Sequence, residues 1–257
     1  MHTRDLFDLT ERVAIVTGGA AGIGRQMTDA LADMGARLVL AARKLDRCQQ
    51  VAEELSQRGV TALALRCDVT SPDDVQNLVA ETLRTFGRID ILVNNAGVTW
   101  GAPAEEMSLA DWDKVIRTNV TGTFLCSQAV GQVMIRQRRG KIINIASVAG
   151  LFGSPPEIVD AVGYSASKGA IISFTRDLAC KWARHNVHVN AIAPGWFPSR
   201  MSRWILEHRG ERILPHIPLG RFGGEDDLKG AIVFLASDAS NYVTGQVLVV
   251  DGGISIW

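Results

Sequence analysis

Apolar and polar positions along the chain fall into two alternating patterns. The first is a set of short, nearly unbroken apolar runs. They are Arg12 to Thr17, Arg37 to Ala42, Thr61 to Arg66, Ile89 to Val93, Lys141 to Ile145, Val187 to Ile192 and Gln246 to Val250. Such runs suit strands that are covered on both faces. The second pattern is helical and fills gaps between them: Arg25 to Met34, Leu45 to Gln57, about Leu109 to Arg138, a helix around Tyr164, and Glu225 to Ser237. Ser71-Pro72-Asp73-Asp74 reads as a further helix start, with Ser71 as cap and Pro72 in the first turn. Asn119 lies inside the long helical segment, where a mediocre helix former hints at a hydrogen-bonding task and a local distortion. Residues 196–218 look irregular, being rich in Trp, Arg and Pro, and suit a lid and substrate wall. With no repeat, low-complexity tract or linker, the pattern predicts one α/β domain over residues 1–257, with a substrate-binding insertion at about 196–220.

Composition narrows the function classes. The chain has 257 residues, 47% hydrophobic and 21% charged, enough for a sizeable core. Lys plus Arg and Asp plus Glu both count 27, which argues against nucleic-acid binding by bulk charge. The local run Arg136, Arg138, Arg139, Lys141 reads as a solvated helix end. The 4 cysteines, Cys48, Cys67, Cys126 and Cys180, show no metal or disulfide spacing, and the 5 histidines form no cluster, so no metal site is expected. Met1 to Asp5 carries no apolar leader, and no apolar stretch is long enough for a span, so a cytoplasmic setting without membrane contact is expected.

Six places carry candidate chemistry. The first strand runs directly into Gly18-Gly19-Ala20-Ala21-Gly22-Ile23-Gly24 and then a helix, the context a dinucleotide-binding turn requires. Glycines there admit phosphates to a helix N-terminus, whose N–H groups and dipole favour an anion. The second strand ends at Ala42, followed by Arg43 and Lys44. An acidic residue would hold a ribose 2′-hydroxyl at that place. Two cations suit a 2′-phosphate instead, so NADP(H) is preferred to NAD(H). Asp68 and Val69 follow the third strand, where an adenine edge is read, although Asp68 also fits a plain turn. Asn94-Asn95-Ala96-Gly97 ends the fourth strand, where small and amide residues suit close approach of a ligand and also tie neighbouring strands. Ser147 stands at the end of the fifth. Tyr164 and Lys168 lie four apart, on one helix face, so the ammonium is expected to lower the phenol's pKa. A phenol so tuned exchanges a proton with a substrate oxygen.

In order along the chain, Thr17-Gly18-x-x-x-Gly22-x-Gly24, Asn94-Asn95-Ala96-Gly97, Asn119, Ser147, Tyr164-x-x-x-Lys168 and Pro194-Gly195 resemble the motifs of the short-chain dehydrogenase/reductase family. The resemblance implies a single Rossmann domain, a seven-stranded parallel sheet in the order 3-2-1-4-5-6-7 with helices on both faces, one nicotinamide cofactor and a homotetramer. It implies Tyr164 as acid/base, Lys168 as pKa tuner and ribose holder, Ser147 on the substrate oxygen, and Asn119 positioning a water that leads to Lys168. On the same resemblance the cofactor meets Gly18, Ala21, Gly22, Ile23 and Gly24, then Asn95, Ala96 and Gly97. It also meets Tyr164, Lys168, Pro194, Gly195, Phe197 and Ser199. Two departures are visible. Ser199 replaces the usual threonine after Pro-Gly, and the Ser147-to-Tyr164 loop is longer than common, with Pro155, Pro156 and Glu157 in the extra piece.

The implied activity is NADPH-dependent reduction of a ketone, β-ketoacyl or similar, as in the bacterial β-ketoacyl reductase and gluconate 5-dehydrogenase-like branches. A sugar-acid or polyol dehydrogenase using NAD(P) is the alternative. A catalytically silent NADP-sensing protein is a remote one, since fold does not fix function. Trp100, Trp196, Phe197 and Trp204 either line an apolar substrate pocket or belong to core and interfaces.

Overall fold

Every residue of β1 (Val13–Thr17) is buried, and its side chains alternate between two cores. Ala14 and Val16 face one, Val13 and Ile15 the other. A central parallel strand needs apolar side chains in both directions, which is why its sequence shows no polar alternation. Each buried Val or Ile side chain contributes about 1.5–3 kcal/mol. In the computed structural model, which describes residues 2–256, β1 pairs in parallel with β2 (Arg37–Ala42) on one side and β4 (Ile91–Asn94) on the other. β3 (Ala62–Arg66), β5 (Gly140–Ile145), β6 (Val187–Pro194) and β7 (Val247–Val250) complete a seven-stranded parallel sheet ordered β3-β2-β1-β4-β5-β6-β7.

Helices cover both faces. α1 (Gly22–Asp33), α2 (Leu45–Gln57) and α8 (Lys229–Ala236) bury Met27, Leu31, Val51, Leu55, Ile232 and Leu235 in the first core. α3 (Pro72–Phe86), α5 (Gly122–Gln137) and α6 (Val162–Trp182) bury Val75, Leu78, Val130, Met134 and Ala179 in the second. The Ser71 hydroxyl caps α3 by accepting from the Asp74 amide, with Pro72 at the helix start. α4 (Leu109–Ile116) does not run straight into α5. A π-helical turn, Arg117–Thr121, joins them with Asn119 buried in it. The expected distortion at Asn119 is therefore a widened turn, a feature that frequently marks functional sites.

Three local expectations need correction. Residues 196–218 are not irregular: α7 (Arg203–Ile213) fills much of the segment. Only Gly210 and Ile213 of α7 are buried, so it shows no apolar stripe at helical period. The last helix begins at Lys229 rather than Glu225, because Asp227 instead holds Arg221 and the Gly224 amide in a turn. The basic run after α5 is not wholly solvated. Arg139 pairs with Asp238, and Lys141 is buried in β5 with its ammonium on the Ser240 hydroxyl. No helix among the described residues is long and apolar enough to cross a membrane.

Candidate active site

All seven strands point the same way, so the segments that leave β1, β2, β4, β5 and β6 gather along one edge, the usual ligand edge of an open α/β sheet. At the β1 exit, Gly18 and Gly22 have positive φ, 67° and 53°, a region that favours glycine. Gly24 lies in the first turn of α1, and a Cβ there would stand 2.5 Å from Asn95 Nδ2 and strike the Gly18 carbonyl. Asn95 draws the β4 exit onto this turn: its side-chain amide donates to the Thr17 and Gly18 carbonyls at 3.0 and 3.1 Å. Thr17 Oγ1 in turn accepts from the Asn95 and Ala96 amides. Ala21 is exposed ahead of α1, no side chain caps that helix, and its first turn holds no acid. Ile23 is half-buried against the first core. This cradle fits a dinucleotide pyrophosphate, with free N–H groups and room for close approach.

At the β2 exit Arg43 and Lys44 are exposed and make no ion pair among the described residues. Asp68 is half-buried. Desolvation raises its carboxyl, but bonds from the Thr70 amide and hydroxyl, with Arg43 and Arg66 nearby, hold it below its ordinary value. The Val69 side chain is buried against Gly122, so only its main chain is left at the sheet edge.

The β5 exit carries Ser147, followed by a 3₁₀ turn, Val148–Gly150. This turn presses on α6: a Cβ at Gly150 would lie 2.6 Å from the Lys168 carbonyl carbon. The close approach brings the Ser147 hydroxyl, which accepts from the Ala149 amide at 3.2 Å, near enough to the Tyr164 phenol to favour its ionised form. Lys168 is buried; its Nζ lies 5.4 Å from the Tyr164 ring centroid and donates to the Ile145 carbonyl at 2.7 Å. Burial pushes the Lys168 ammonium down to about 8. The expectation that this ammonium makes the phenol more acidic is corrected here. Burial pushes Tyr164 up, and the nearby Ser147 hydroxyl only partly offsets it.

Asn119 sits next to this group. Its Oδ1 accepts from the Val98 amide at 2.8 Å, and its Nδ2 donates to the Val98 carbonyl and the Ser167 hydroxyl, both at 2.9 Å. The Ser167 hydroxyl donates to the Tyr164 carbonyl at 2.7 Å. A single chain of bonds thus runs from the β4 exit loop, through the π turn, to the helical turn bearing Tyr164. Ser167 was missed from the sequence. Only its place between Asn119 and Tyr164 marks it, and that place needs the fold. Gly97 lies beside Asn119, where a Cβ would stand 3.2 Å from Oδ1.

After β6, Pro194 and Gly195 pass so close to β7 that a Cβ on Gly195 would stand 2.7 Å from the Asp251 Cα. The Phe197 side chain is buried in the first core over Gly223, which favours the core alternative for this ring. Ser199 and Ser202 share a hydrogen bond at 3.0 Å, and the Ser199 Cβ lies 3.4 Å from where a Gly22 Cβ would stand. The tryptophans do not share one pocket. Trp196 lines a cavity with Leu219, Arg221 and Asp251. Trp100 is exposed beneath the Lys114 ammonium, and Trp204 is exposed and stacked on His208. Among the described residues no group of His, Cys, Asp and Glu is placed to hold a metal.

The family model described as enoyl-(acyl carrier protein) reductase matches residues 18–255. A 3-oxoacyl-[acyl-carrier-protein] reductase of Synechocystis is 42% identical over 248 residues, 96% of this chain and 98% of that one. A gluconate 5-dehydrogenase of Gluconobacter oxydans is 41% identical over 258 residues, covering 100% and 99% of the two chains. The crystal structure of a gluconate 5-dehydrogenase from Burkholderia cenocepacia, in complex with NADP and tartrate, superimposes with a TM-score of 0.95 at 36% identity, covering 100% of both chains.

Proposed function

The chain belongs to the short-chain dehydrogenase/reductase family and is an NAD(P)-dependent oxidoreductase, and from that premise we propose that it reduces a ketone, β-ketoacyl or similar, to a secondary alcohol with NADPH. The observation that carries this reading is the meeting of Ser147, Tyr164 and Lys168 at the edge of the sheet beside the glycine cradle. The glycine turn, the uncapped start of α1, Asn95 and Gly195 hold the dinucleotide. Arg43 and Lys44, exposed and without an acid at the strand end, receive a 2′-phosphate. When bound, the nicotinamide supplies the hydride.

The chain's own residues handle the oxygen. The Ser147 hydroxyl donates to the substrate carbonyl and polarises it. As negative charge develops there, the Tyr164 phenol gives its proton to the oxygen and is left as phenolate. The Lys168 ammonium, in a dry site, stabilises that phenolate. Asn119 and Ser167 keep the turn of α6 in place. A raised phenol pKa in the resting protein is consistent with this order of events, because the proton is then held until an oxyanion draws it off.

Tyr164→Phe tests the mechanism: turnover should be lost and NADPH affinity kept, and retained turnover would end the reading. NADPH should also outperform NADH; equal use of the two removes the role given to Arg43 and Lys44. A sugar-acid or polyol dehydrogenase remains the second reading, favoured by the likeness to the Gluconobacter oxydans protein. A panel of β-ketoacyl compounds against gluconate and polyols separates them, and NADPH binding with no turnover anywhere points to a sensing protein. A homotetramer belongs to the same proposal and is checked by light scattering.

A further inference from the structure

Among the described residues, one side chain from outside, Arg209, hydrogen-bonds to the loop between Ser147 and Tyr164. Residues 151–157 are all exposed, and Pro155 and Pro156 have no N–H to donate. The loop's internal ties are few: the Ile158 and Val159 amides reach the Pro155 carbonyl. Arg209 of α7 supplies what the prolines lack. Its Nη1 donates to the Pro156 carbonyl at 3.1 Å and to the Ile158 carbonyl at 2.9 Å. Arg209 is itself braced, with its guanidinium 5.4 Å from the centre of the Trp204 ring, and Trp204 is stacked on His208 at 4.6 Å. On the loop's far side the Ala102 amide donates to the Asp160 carbonyl at 2.9 Å, and Ala102 bridges to Ala161. Three exits are thus coupled. The segments after β4, β5 and β6 meet around the approach to Tyr164, and the bond between the last two depends on Arg209.

We propose that Arg209 is a specificity-determining positioning residue: it latches the Pro155–Ile158 loop to α7, so that both walls of the substrate mouth stand as one piece and grip the part of the substrate remote from the carbonyl. This rests on the proposed reductase activity. Arg209 touches no reacting atom. It fixes the walls beforehand, so the ordering cost is not met at each binding event. A substrate that extends between the walls depends on the latch; a small ketone that reaches only Ser147 and Tyr164 does not.

The test compares Arg209→Ala and Arg209→Lys with the parent chain. The readouts are kcat and KM for a short and a long-chain ketone, NADPH affinity by fluorescence, thermal midpoint, and chymotrypsin cleavage after the exposed Leu151 and Phe152. For Arg209→Ala, KM for the long ketone should rise about tenfold, the scale of one net hydrogen bond, since a single solvent-facing Nη1 makes both contacts. The short-ketone KM, NADPH affinity and kcat should stay unchanged, and cleavage should quicken. Arg209→Lys, keeping the charge but not the planar fork, should fall between. Equal changes for both ketones, a fall in kcat alone, or a loss of NADPH affinity would overturn the latch. If the parent chain turns over no ketone, the proposed activity fails, and cleavage alone decides: an unchanged rate overturns the latch, a faster one supports it.

Discussion

Gly24→Ala adds one methyl group at the tightest point of the cradle. The new Cβ would stand 2.5 Å from Asn95 Nδ2 and strike the Gly18 carbonyl oxygen, which is backbone and cannot swing aside. To make room, α1 must move off β1 and Asn95 must release its bonds to the Thr17 and Gly18 carbonyls. Overpacking costs about 1–3 kcal/mol, and two lost neutral hydrogen bonds about 0.5–1.5 kcal/mol each. The total, about 2–6 kcal/mol, divides between folding and the proposed cofactor binding, because the same N–H groups at the start of α1 would serve both. If about 1.4–2.8 kcal/mol falls on binding, the NADPH Kd rises about 10–100-fold. A further 1–2 kcal/mol on folding lowers Tm by about 2–8 °C in a chain of this size. The control is Gly230→Ala in α8, where an added Cβ meets nothing within 4 Å and the residue is exposed. There alanine should add about 0.5–1 kcal/mol of stability and leave NADPH binding alone. Fluorescence titration and thermal melts on both variants suffice. A Gly24→Ala protein with the parent's Kd and Tm would refute the account of the cradle.

Two further predictions concern the proton chemistry. Lys168 titrates at about 8 through burial, so its ammonium is lost as pH rises through that value, and kcat/KM for ketone reduction should fall above about pH 8; a profile flat to pH 10 would contradict the role of Lys168. Burial also lowers Lys141 to about 8, well under its unfolded value of 10.5, so both lysines penalise the fold fully below pH 8 and release the penalty as pH climbs towards 10.5. Lys141→Met should therefore raise Tm at pH 7 and flatten part of that rise while leaving the activity profile unmoved, since Ser240 keeps its bonds to the Leu235 and Ser237 carbonyls. Ser167→Ala breaks the link from Asn119 to the Tyr164 turn; kcat should fall about tenfold at an unchanged NADPH Kd, the size of one or two buried bonds.

Much of this architecture was legible because its signals are local. Strands covered on both faces make continuous apolar runs, and all seven stand within a few residues of where those runs place them. α2 matches its pattern end to end, and the cap at Ser71 follows from residue types three apart. What stayed hidden is long-range. α7 buries only Gly210 and Ile213, so no stripe announces it, and its grip on Pro156 and Ile158 joins residues about fifty positions apart. The place of Phe197 after Pro-Gly fixes its backbone but leaves its ring open between pocket and core, and the fold turns that ring into the core over Gly223. A motif locates a main chain at a ligand edge more surely than it tells which way a side chain faces.

The Tyr164 and Lys168 pair shows where residue spacing stops informing chemistry. Four residues on a helix guarantee that phenol and ammonium are neighbours, and in water that nearness favours the phenolate. The sign of the net effect depends on a quantity spacing cannot carry, the solvent removed around the pair. The 3₁₀ turn after Ser147 lies against α6 at Gly150, and the Lys168 ammonium is drawn to the Ile145 carbonyl. Desolvation then acts on both groups in the direction of neutrality, raising the phenol and lowering the amine. A neutral phenol beside a titratable amine is a proton donor waiting for charge. Beside the buried Lys168, the strongest inducement to release that proton is an oxyanion forming within reach of Ser147 and Tyr164. The resting pKa values therefore do not argue against acid catalysis by Tyr164. They predict that it is coupled to charge arriving on the substrate oxygen, so that the pH dependence of turnover should report the loss of the Lys168 ammonium before any ionisation of Tyr164.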